Sequence, residues 1–314
     1  MPSGIGALSA VISDWVKRAY QARAASGRGL SVLAMGSLGA GRLASSSDLD
    51  LIVIYDAAGV EASDGPRPLA TRAWYARFTQ GLITALTAPM PDGRLYEVDM
   101  RLRPSGRQGP VATALPAFRA YQQDEAWTWE HLALTRARAV AGEPGLGEEI
   151  EDFRRDLIAQ KAGGETVLPD LASMRARLAE ARPASHGWNL RDGPGRLQDV
   201  ELFAQSLALR AGSAAREVTA QIEAGRAAGL VDDAGARALD HAAALFRGVQ
   251  CVARLLTGGG PLPEDPAEGG ARVMLRESGC ETLDDLRRAL DAAAARAEEV
   301  IDRALQGARP GENG

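Results

Sequence analysis

The segment MGSLGAGRLASSSDLDLIVIY, from Met35 to Tyr55, joins a glycine-rich turn and a serine cluster to a long apolar run. Two aspartates, Asp48 and Asp50, stand one residue apart where that run begins. The run LIVIY is apolar at every position, which is typical of a strand buried on both faces of a sheet. Side chains at i and i+2 of a strand point the same way, so both carboxylates are expected on one side, with Leu49 opposite. Such like charges repel one another, and a divalent cation between them makes the arrangement favourable.

A second half-polar segment, RLYEVDMRLR at 94–103, predicts another strand that stops at Pro104. Alternation along it gives one apolar face, made by Tyr96, Val98, Met100 and Leu102, and one polar face, made by Glu97, Asp99, Arg101 and Arg103. Asp99 is then the natural third carboxylate for the same metal. Arg101 and Arg103 would follow on the same face, where guanidinium groups can grip phosphates.

The glycine-rich turn is expected to bind phosphate beside these carboxylates. Small residues let the backbone approach a phosphate closely, and the hydroxyl of Ser37 adds a donor beside Gly36. The turn does not fit a P-loop, because Arg42 follows Gly41, and its glycine spacing does not fit a dinucleotide fingerprint. The expected ion is Mg²⁺, which prefers oxygen ligands and is commonly shared with substrate phosphates. Two ions about 3.5–4 Å apart would activate an attacking oxygen and stabilise a leaving pyrophosphate.

This order of elements resembles the polymerase-β-like nucleotidyltransferases: a strand, a Gly-Ser turn, a D-x-D strand and a later strand bearing Asp. Hydrophobic periodicity predicts the other elements of the first half, with helices at 7–24, 70–87 and 115–134 and strands at 31–35, 49–55 and 135–142. Beyond a composition break at 161–170, the pattern is almost entirely helical. The predicted fold class is therefore α+β, a small mixed sheet followed by an all-α helical bundle. The predicted domains are a nucleotidyltransferase domain at 1–160 and a helical domain at 165–308, with a tail at 309–314.

Composition narrows the classes of partner. The chain of 314 residues has a net charge of −5, which gives no reason to expect a nucleic-acid partner. Its two cysteines lie far apart and its three histidines are scattered, so neither a disulfide framework nor a zinc site is expected. The N-terminus lacks the pattern of a signal peptide, and no apolar run reaches the length of a membrane span. A cytoplasmic protein is the expectation.

Three segments carry a narrower resemblance. They are YEVDMRLRPSGRQGP, AFRAYQQDEAWTWEHLALTRARAVAG, and DGPGRLQDVELFAQ at 192–205. They resemble the glutamine synthetase adenylyltransferase family. The motifs RPSG and EAWTWEH resemble those of its C-terminal half, which attaches AMP. The resemblance implies that Asp48, Asp50 and Asp99 are catalytic and hold metal, that Gly36 and Ser37 meet the triphosphate, and that Arg101, Arg103 and Ser105 lie near the nucleotide or the target. The sequence departs from the family at Ser37, where a basic residue is usual, and at Arg42, where a glutamate is usual. Nothing in the sequence explains Arg42.

The activity implied by the resemblance is Mg²⁺-dependent transfer of AMP from ATP to a tyrosine of glutamine synthetase, with a nitrogen-signalling PII-type protein as a further partner. Several alternatives stay open. The chain could remove AMP by phosphorolysis, could modify a small molecule as aminoglycoside nucleotidyltransferases do, or could bind nucleotide or partner without catalysis.

Other polar and aromatic residues have two interpretations each. Trp127 and Trp129 could form a surface for adenine or for the partner enzyme, but packing in the core is favoured. Arg136 and Arg138 share a face of a predicted strand and would either reach phosphates or lie in solvent. Asp199 is predicted to brace the helical domain against the catalytic one, and Glu201 is not expected to share its helical face.

Overall fold

The computed structural model describes residues 28–44, 47–64, 67–89, 91, 96–181 and 188–306 of the chain. These residues divide into two compact units, one formed by 28–43 with 47–157 and the other by 44 with 158–306. The helix predicted at 7–24 and the tail at 309–314 lie outside the described residues. The domain bounds drawn from the sequence stay a prediction, because compactness alone does not show that either unit folds independently.

The first unit is built on a mixed five-stranded sheet. Its strands are β1 (Gly29–Ala34), β2 (Leu49–Asp56), β3 (Val98–Asp99), β4 (Ala112–Ala114) and β5 (Arg138–Gly142). The order is β3-β2-β1-β5, with β4 also paired to β2. The strand β1 runs antiparallel to β2 and β5, whereas β3 and β4 both run parallel to β2. The D-x-D strand is therefore central, as its apolar run predicts.

The strand predicted at 94–103 is wrong in its extent. Within 96–103, the described part of this segment, only Val98 and Asp99 form strand pairs, and they lie opposite the first two residues of β2, Leu49 and Asp50. Further along β2, from Val53, the neighbouring position belongs to β4, which the sequence analysis missed. The residues after Asp99 turn away from the sheet, so Arg101 and Arg103 do not share a strand face with it.

Both faces of the sheet are covered. The helices of this unit are α1 (Gly36–Gly39), α2 (Thr71–Thr87), α3 (Leu115–Ala120), α4 (Thr128–Leu134) and α5 (Pro144–Gln160), and a π-helical turn at Tyr121–Glu125 links α3 to α4. One apolar cluster joins the odd-numbered residues of β2, such as Leu49 and Leu51, to α2. The other joins Ile52 and Ile54 to α3, α4 and α5. Because side chains alternate along a strand, Asp50 belongs to this second face.

The second unit is helical, as predicted. Its helices are α6 (Val167–Ala181), α7 (Leu197–Arg210), α8 (Val218–Ala227), α9 (Asp233–Thr257), α10 (Glu268–Ser278) and α11 (Leu283–Gln306). Their apolar stripes meet in a core that includes Phe203, Leu207, Phe246 and Ile301, all nearly inaccessible to solvent. None of the described helices has both the length and the apolar composition that crossing a bilayer requires.

Candidate active site

Asp50 and Asp99 are neighbours across two parallel strands. They are register partners, so their side chains emerge on the same face of the sheet, at the end where both strands begin to pair. Leu49 and Val98, one residue earlier in each strand, point to the opposite face, where Leu49 is buried against the α2 cluster. Both aspartates are partly buried. The structure therefore brings together two of the three predicted carboxylates by backbone register.

Asp50 also lies against the glycine-rich turn. The backbone N–H of Met35 donates to the carbonyl of Asp50 at 2.8 Å. Gly36, the next residue, has φ +52°, and a Cβ placed on it would lie 2.2 Å from Oδ2 of Asp50. No side chain fits there, so glycine is required for the turn to approach the carboxylate. Ser37 follows at a partly exposed position in the single helical turn α1.

Asp48 occupies a different environment from Asp50. It precedes β2, and it is exposed. Its charge still acts near Asp99, because Asp48 and Asp50 both contribute to raising the pKa of Arg101, after the larger effects of Asp99 itself. The three carboxylates therefore share one electrostatic environment, with Asp48 at its solvent side.

Asp99 is held by its neighbour Arg101. The backbone N–H of Arg101 donates to Oδ1 of Asp99 at 2.8 Å, and its Nε donates to Oδ2 at 2.6 Å. The Nη2 group of Arg101 forms an ion pair with the same Oδ2. Burial by itself would raise the pKa of Asp99, but the hydrogen bonds and charge of Arg101, helped by Arg107, hold it below its usual value. Asp99 is therefore an ionised carboxylate with both oxygens engaged.

Arg103 holds the loop that follows β3. Its Nη1 donates to the carbonyl of Met100 at 2.7 Å, its Nε to Gly109 at 3.2 Å, and its Nη2 to Arg107 at 3.2 Å. Three of the five N–H groups of the guanidinium are thus used to close the loop. A role in binding phosphate stays a prediction for this residue.

Ser105 lies at the tip of the same loop. Its φ of 59° is in the left-handed region, and its side chain is exposed. The backbone of Ser105 hydrogen-bonds to the phenol of Tyr121, whose pKa is raised by burial and by Glu130. The loop after Asp99 is thereby connected to the π-helical turn before α4.

The metal site predicted at these carboxylates can be tested against their placement. Carboxylate oxygens are the ligands that Mg²⁺ prefers, and the registered pair Asp50 and Asp99 fits a shared divalent cation. As the side chains lie, however, no group of three or more His, Cys, Asp and Glu residues in the described part of the chain is close enough to hold a metal. On the Asp99 side, Arg101 donates hydrogen bonds to both carboxylate oxygens.

The tryptophans near α4 differ from the favoured prediction. Trp127 is 72% exposed and Trp129 is 41% exposed, so packing in the core is wrong for Trp127 above all. In α4 the buried residues are Glu130, His131, Leu132 and Leu134. The carboxylate of Glu130 accepts the backbone N–H of Trp127 at 3.0 Å and the hydroxyl of Tyr121 at 2.9 Å, which stabilises the start of the helix.

The two arginines near β5 do not share one strand face. Arg136 is buried in the turn before β5, whereas Arg138 is the first residue of the strand. The Nε of Arg138 donates to the carbonyl of Gly39 at 3.0 Å, which ties β5 to the glycine-rich turn. Contact of either arginine with phosphate stays a prediction.

Asp199 braces helices of the second unit. Its carboxylate accepts Nε and Nη2 of Arg175 at 2.7 and 2.8 Å, and the backbone N–H of Gly195 at 2.7 Å. Glu201, two residues along α7, lies 3.8 Å from Arg247 instead, as the difference in helical face predicts. These partners all belong to the helical unit.

The small mixed sheet of the first unit, with the D-x-D strand at its centre, is consistent with a nucleotidyltransferase domain. Comparison with known proteins indicates a narrower class of protein. Residues 5–153 match the family described as glutamate-ammonia ligase adenylyltransferase. Over these residues the chain matches a family of adenylyltransferases, which are nucleotidyltransferases.

Its relatives are longer proteins. The chain is 43% identical over 256 residues to the bifunctional glutamine synthetase adenylyltransferase/adenylyl-removing enzyme of Xanthobacter autotrophicus, covering 79% of this chain and 26% of that protein. It is 38% identical over 285 residues to the protein of the same name from Mesorhizobium japonicum, covering 90% of this chain and 29% of the relative. The chain therefore spans less than a third of the length of these relatives.

Proposed function

We propose that this chain transfers AMP from ATP to a tyrosine hydroxyl of glutamine synthetase and releases pyrophosphate. The observation that carries the proposal is the register of Asp50 with Asp99 beside a turn whose glycine lies against Asp50. The names of the relatives supply the protein substrate, glutamine synthetase.

Asp50 and Asp99, with Asp48 at the solvent side, would hold Mg²⁺. When bound, the metal supplies charge stabilisation at the reacting phosphate and lowers the pKa of the attacking hydroxyl. We propose two ions, as is common where a pyrophosphate leaves. The small residues Gly36 and Ser37 leave room for a triphosphate beside Asp50.

The bond changes in the proposed reaction are simple. The tyrosine oxygen forms a bond to the α-phosphorus, the bond from that phosphorus to the bridging β-oxygen breaks, and the phenolic proton is released to solvent. A carboxylate whose pKa is below its ordinary value is a weak general base. The oxygens of Asp99 would be given to the metal, so Asp99 would act by its charge and position rather than by taking the proton.

The opposite direction is the second candidate, because the names of the relatives include adenylyl removal. In that reaction a phosphate oxygen attacks the phosphorus of the AMP–tyrosine linkage, the bond from that phosphorus to the tyrosine oxygen breaks, and ADP and free tyrosine hydroxyl are formed. The segments RPSGRQGP and EAWTWEH favour AMP attachment, because they resemble the AMP-attaching half of the family.

An assay with purified glutamine synthetase tests the proposal directly. The protein is incubated with ATP and Mg²⁺, and glutamine synthetase is analysed by mass spectrometry for the added mass of one AMP on a tyrosine peptide. A glutamine synthetase with that tyrosine changed to phenylalanine is the control. A second incubation uses AMP-bearing glutamine synthetase with phosphate and measures ADP.

Modified tyrosine in the first incubation supports the proposal, and ADP only in the second supports removal. No product in either, with ATP still bound, would support a catalytically silent module. We further propose a cytoplasmic location and a nitrogen-signalling PII-type partner, since both belong with the regulation of glutamine synthetase. Binding of a PII-type protein to the longer relatives but not to this chain would assign that contact to the length that this chain does not span.

A further inference from the structure

One cation faces the candidate site from within the chain. Arg101 binds Asp99 through its backbone and its side chain at once, at 2.8 and 2.6 Å, so both carboxylate oxygens are occupied. The charges of Asp50 and Asp48 also act on this guanidinium. A divalent cation bound between these acids would stand beside a positive charge and compete with it for the oxygens of Asp99.

The side chain of Arg101 makes fewer contacts with the protein than that of Arg103. Its side chain is 64% exposed, and Asp99 is its only side-chain partner among the described residues. Arg103, in contrast, is fixed to three carbonyls of the loop. The loop can therefore keep its shape while Arg101 turns from Asp99 to another anion.

We propose that Arg101 alternates between two partners, Asp99 when no nucleotide is bound and the triphosphate when ATP is bound. This inference rests on the proposed function, since it assumes a metal and a nucleotide at this site. ATP draws the guanidinium away because a triphosphate carries more charge than a carboxylate and offers the same fork of oxygens. The backbone N–H of Arg101 stays on Oδ1 of Asp99, and the release of Oδ2 completes the set of oxygens that hold the metal.

The exchange of partners by Arg101 would make the binding of metal and the binding of nucleotide cooperative. If ATP frees Asp99, then nucleotide raises the affinity for the metal, and by linkage the metal raises the affinity for nucleotide by the same factor. Without Arg101, Asp99 is available at all times, so the affinity for metal rises and the dependence on nucleotide falls. If Arg101 instead holds Asp99 in the orientation that metal needs, its removal would weaken metal binding.

Binding of Mn²⁺ distinguishes these possibilities without measuring catalysis. Free Mn²⁺ is followed by electron paramagnetic resonance during titration of the full chain, with and without a non-hydrolysable ATP analogue, and the Mn²⁺ bound by the analogue alone is subtracted from a titration without protein. In the wild type we expect the analogue to raise the affinity for Mn²⁺ by about tenfold, within the usual range of such coupling. Arg101→Gln should raise the affinity in the absence of nucleotide and reduce the further gain when the analogue is added to the part that the phosphates themselves contribute as metal ligands.

Arg107→Gln is the matched control. Arg107 is an exposed arginine of the same loop whose charge also acts on Asp99, but its side chain does not hydrogen-bond that carboxylate. A charge effect alone would tighten Mn²⁺ binding in both variants, more so in Arg101→Gln because its charge lies closer to Asp99, whereas competition for Oδ2 of Asp99 reduces the dependence on nucleotide in Arg101→Gln alone. Circular dichroism of both variants checks that the fold is retained.

The possible failures are separable. Unchanged or weaker Mn²⁺ binding by Arg101→Gln, or a dependence on nucleotide that Arg101→Gln does not reduce more than Arg107→Gln does, would overturn the exchange of partners. No Mn²⁺ binding by the wild type, with or without the analogue, would reject the metal assignment and this inference with it. Coupled binding as described, with no AMP transferred to glutamine synthetase, would uphold the inference and reject the proposed protein substrate.

Discussion

Each unit of the molecule contains an aspartate held by an arginine, and the two pairs differ in how completely they are enclosed. In the helical unit, Arg175 and Asp199 are 17% and 7% exposed, and Arg175 also donates to Asp302 at 2.7 Å. In the sheet unit, Asp99 is 15% exposed but Arg101 is 64% exposed. The first arginine lies inside a network, and the second lies over a carboxylate at the surface.

The acids around each arginine explain the contrast. Asp199 receives a forked pair of hydrogen bonds and a backbone N–H, so its oxygens have fixed partners that belong to the fold. Asp99 has Asp50 as its register neighbour, and the charges of Asp50 and Asp48 both act on its partner Arg101, so acidic side chains gather where β2 begins. A complete pair stabilises structure, whereas an incomplete one leaves charge that a ligand can neutralise. The four predictions below test whether this division holds.

The largest effect is expected for Asp50→Asn. This change removes one negative charge from the proposed metal site, where the metal stabilises charge by several kcal/mol. We expect transfer of AMP to fall by about a thousandfold, since each 1.4 kcal/mol is about tenfold in rate. Initial rates with ATP and Mg²⁺ measure the loss, and urea-induced unfolding should be unchanged.

Asp56→Asn is its control. Asp56 lies at the other end of β2, where it pairs with Arg28 at the surface. Its replacement should leave the rate of transfer within about twofold, because surface ion pairs contribute little. Transfer by Asp50→Asn within a few-fold of the wild-type rate would show that Asp50 does not hold the catalytic metal, and the contrast between the two units would fail.

The next effect is expected for Gly36→Ala. The new Cβ would meet Oδ2 of Asp50 at 2.2 Å, so either the turn or the carboxylate must move. A displacement of about 1 Å at a reacting site can cost about a hundredfold in rate, and we expect a loss of transfer of that size. The measurement is the same rate assay, with Mn²⁺ affinity measured in parallel.

Gly59→Ala separates this contact from backbone strain. Gly59 has φ +81°, also in the left-handed region, but a Cβ there meets nothing within 4 Å. This control should lose about 1 kcal/mol of stability from strain and none of the transfer activity. Equal losses of activity in both variants would indicate that strain, and not the approach to Asp50, explains Gly36.

The third effect is a loss of stability when the pair of Arg175 and Asp199 is broken. Asp199→Asn leaves Arg175 buried with one fewer negative charge, and we expect the free energy of unfolding to fall by about 3 kcal/mol. Urea denaturation followed by circular dichroism measures the change. Glu201→Gln, on the same helix but partly exposed and 3.8 Å from its partner, should change it by no more than about 0.5 kcal/mol. A loss of the same size in both variants would remove the distinction drawn for Asp199.

Long local patterns explain what the sequence could predict of this fold. The apolar run of β2, the strand before the glycine-rich turn and the helix over 70–87 lie within one or two residues of their observed bounds, because each carries its own hydrophobic pattern. The helical character of the second half followed in the same way. The proximity of Gly36 to Asp50 followed from their places at adjoining ends of a turn and a strand.

Strand pairing and burial that depend on residues far apart in the sequence could not be predicted from local patterns. The alternation through Arg101 and Arg103 favours a strand, yet β2 offers only Leu49 and Asp50 for pairing there. The short strand β4 has no pattern of its own and exists because β2 has an open side. Trp127 was assigned to the core by its size, although the helix that it precedes buries Glu130 and His131 instead. The exchange of partners proposed for Arg101 also needed its contact with Asp99.

The smallest effect is expected when Arg101 or Arg175 is replaced by lysine. Lysine keeps the charge but cannot donate the fork that Arg175 gives to Asp199, nor reach Asp302 at the same time. Because that network is largely enclosed, Arg175→Lys should lower the free energy of unfolding by about 2 kcal/mol. The guanidinium of Arg101 lies mostly in solvent, so Arg101→Lys should leave urea denaturation unchanged while altering the dependence of Mn²⁺ binding on nucleotide. If Arg101→Lys instead destabilised the protein as much as Arg175→Lys, its contact with Asp99 would be part of the fold, and the guanidinium would not be free to move to a triphosphate.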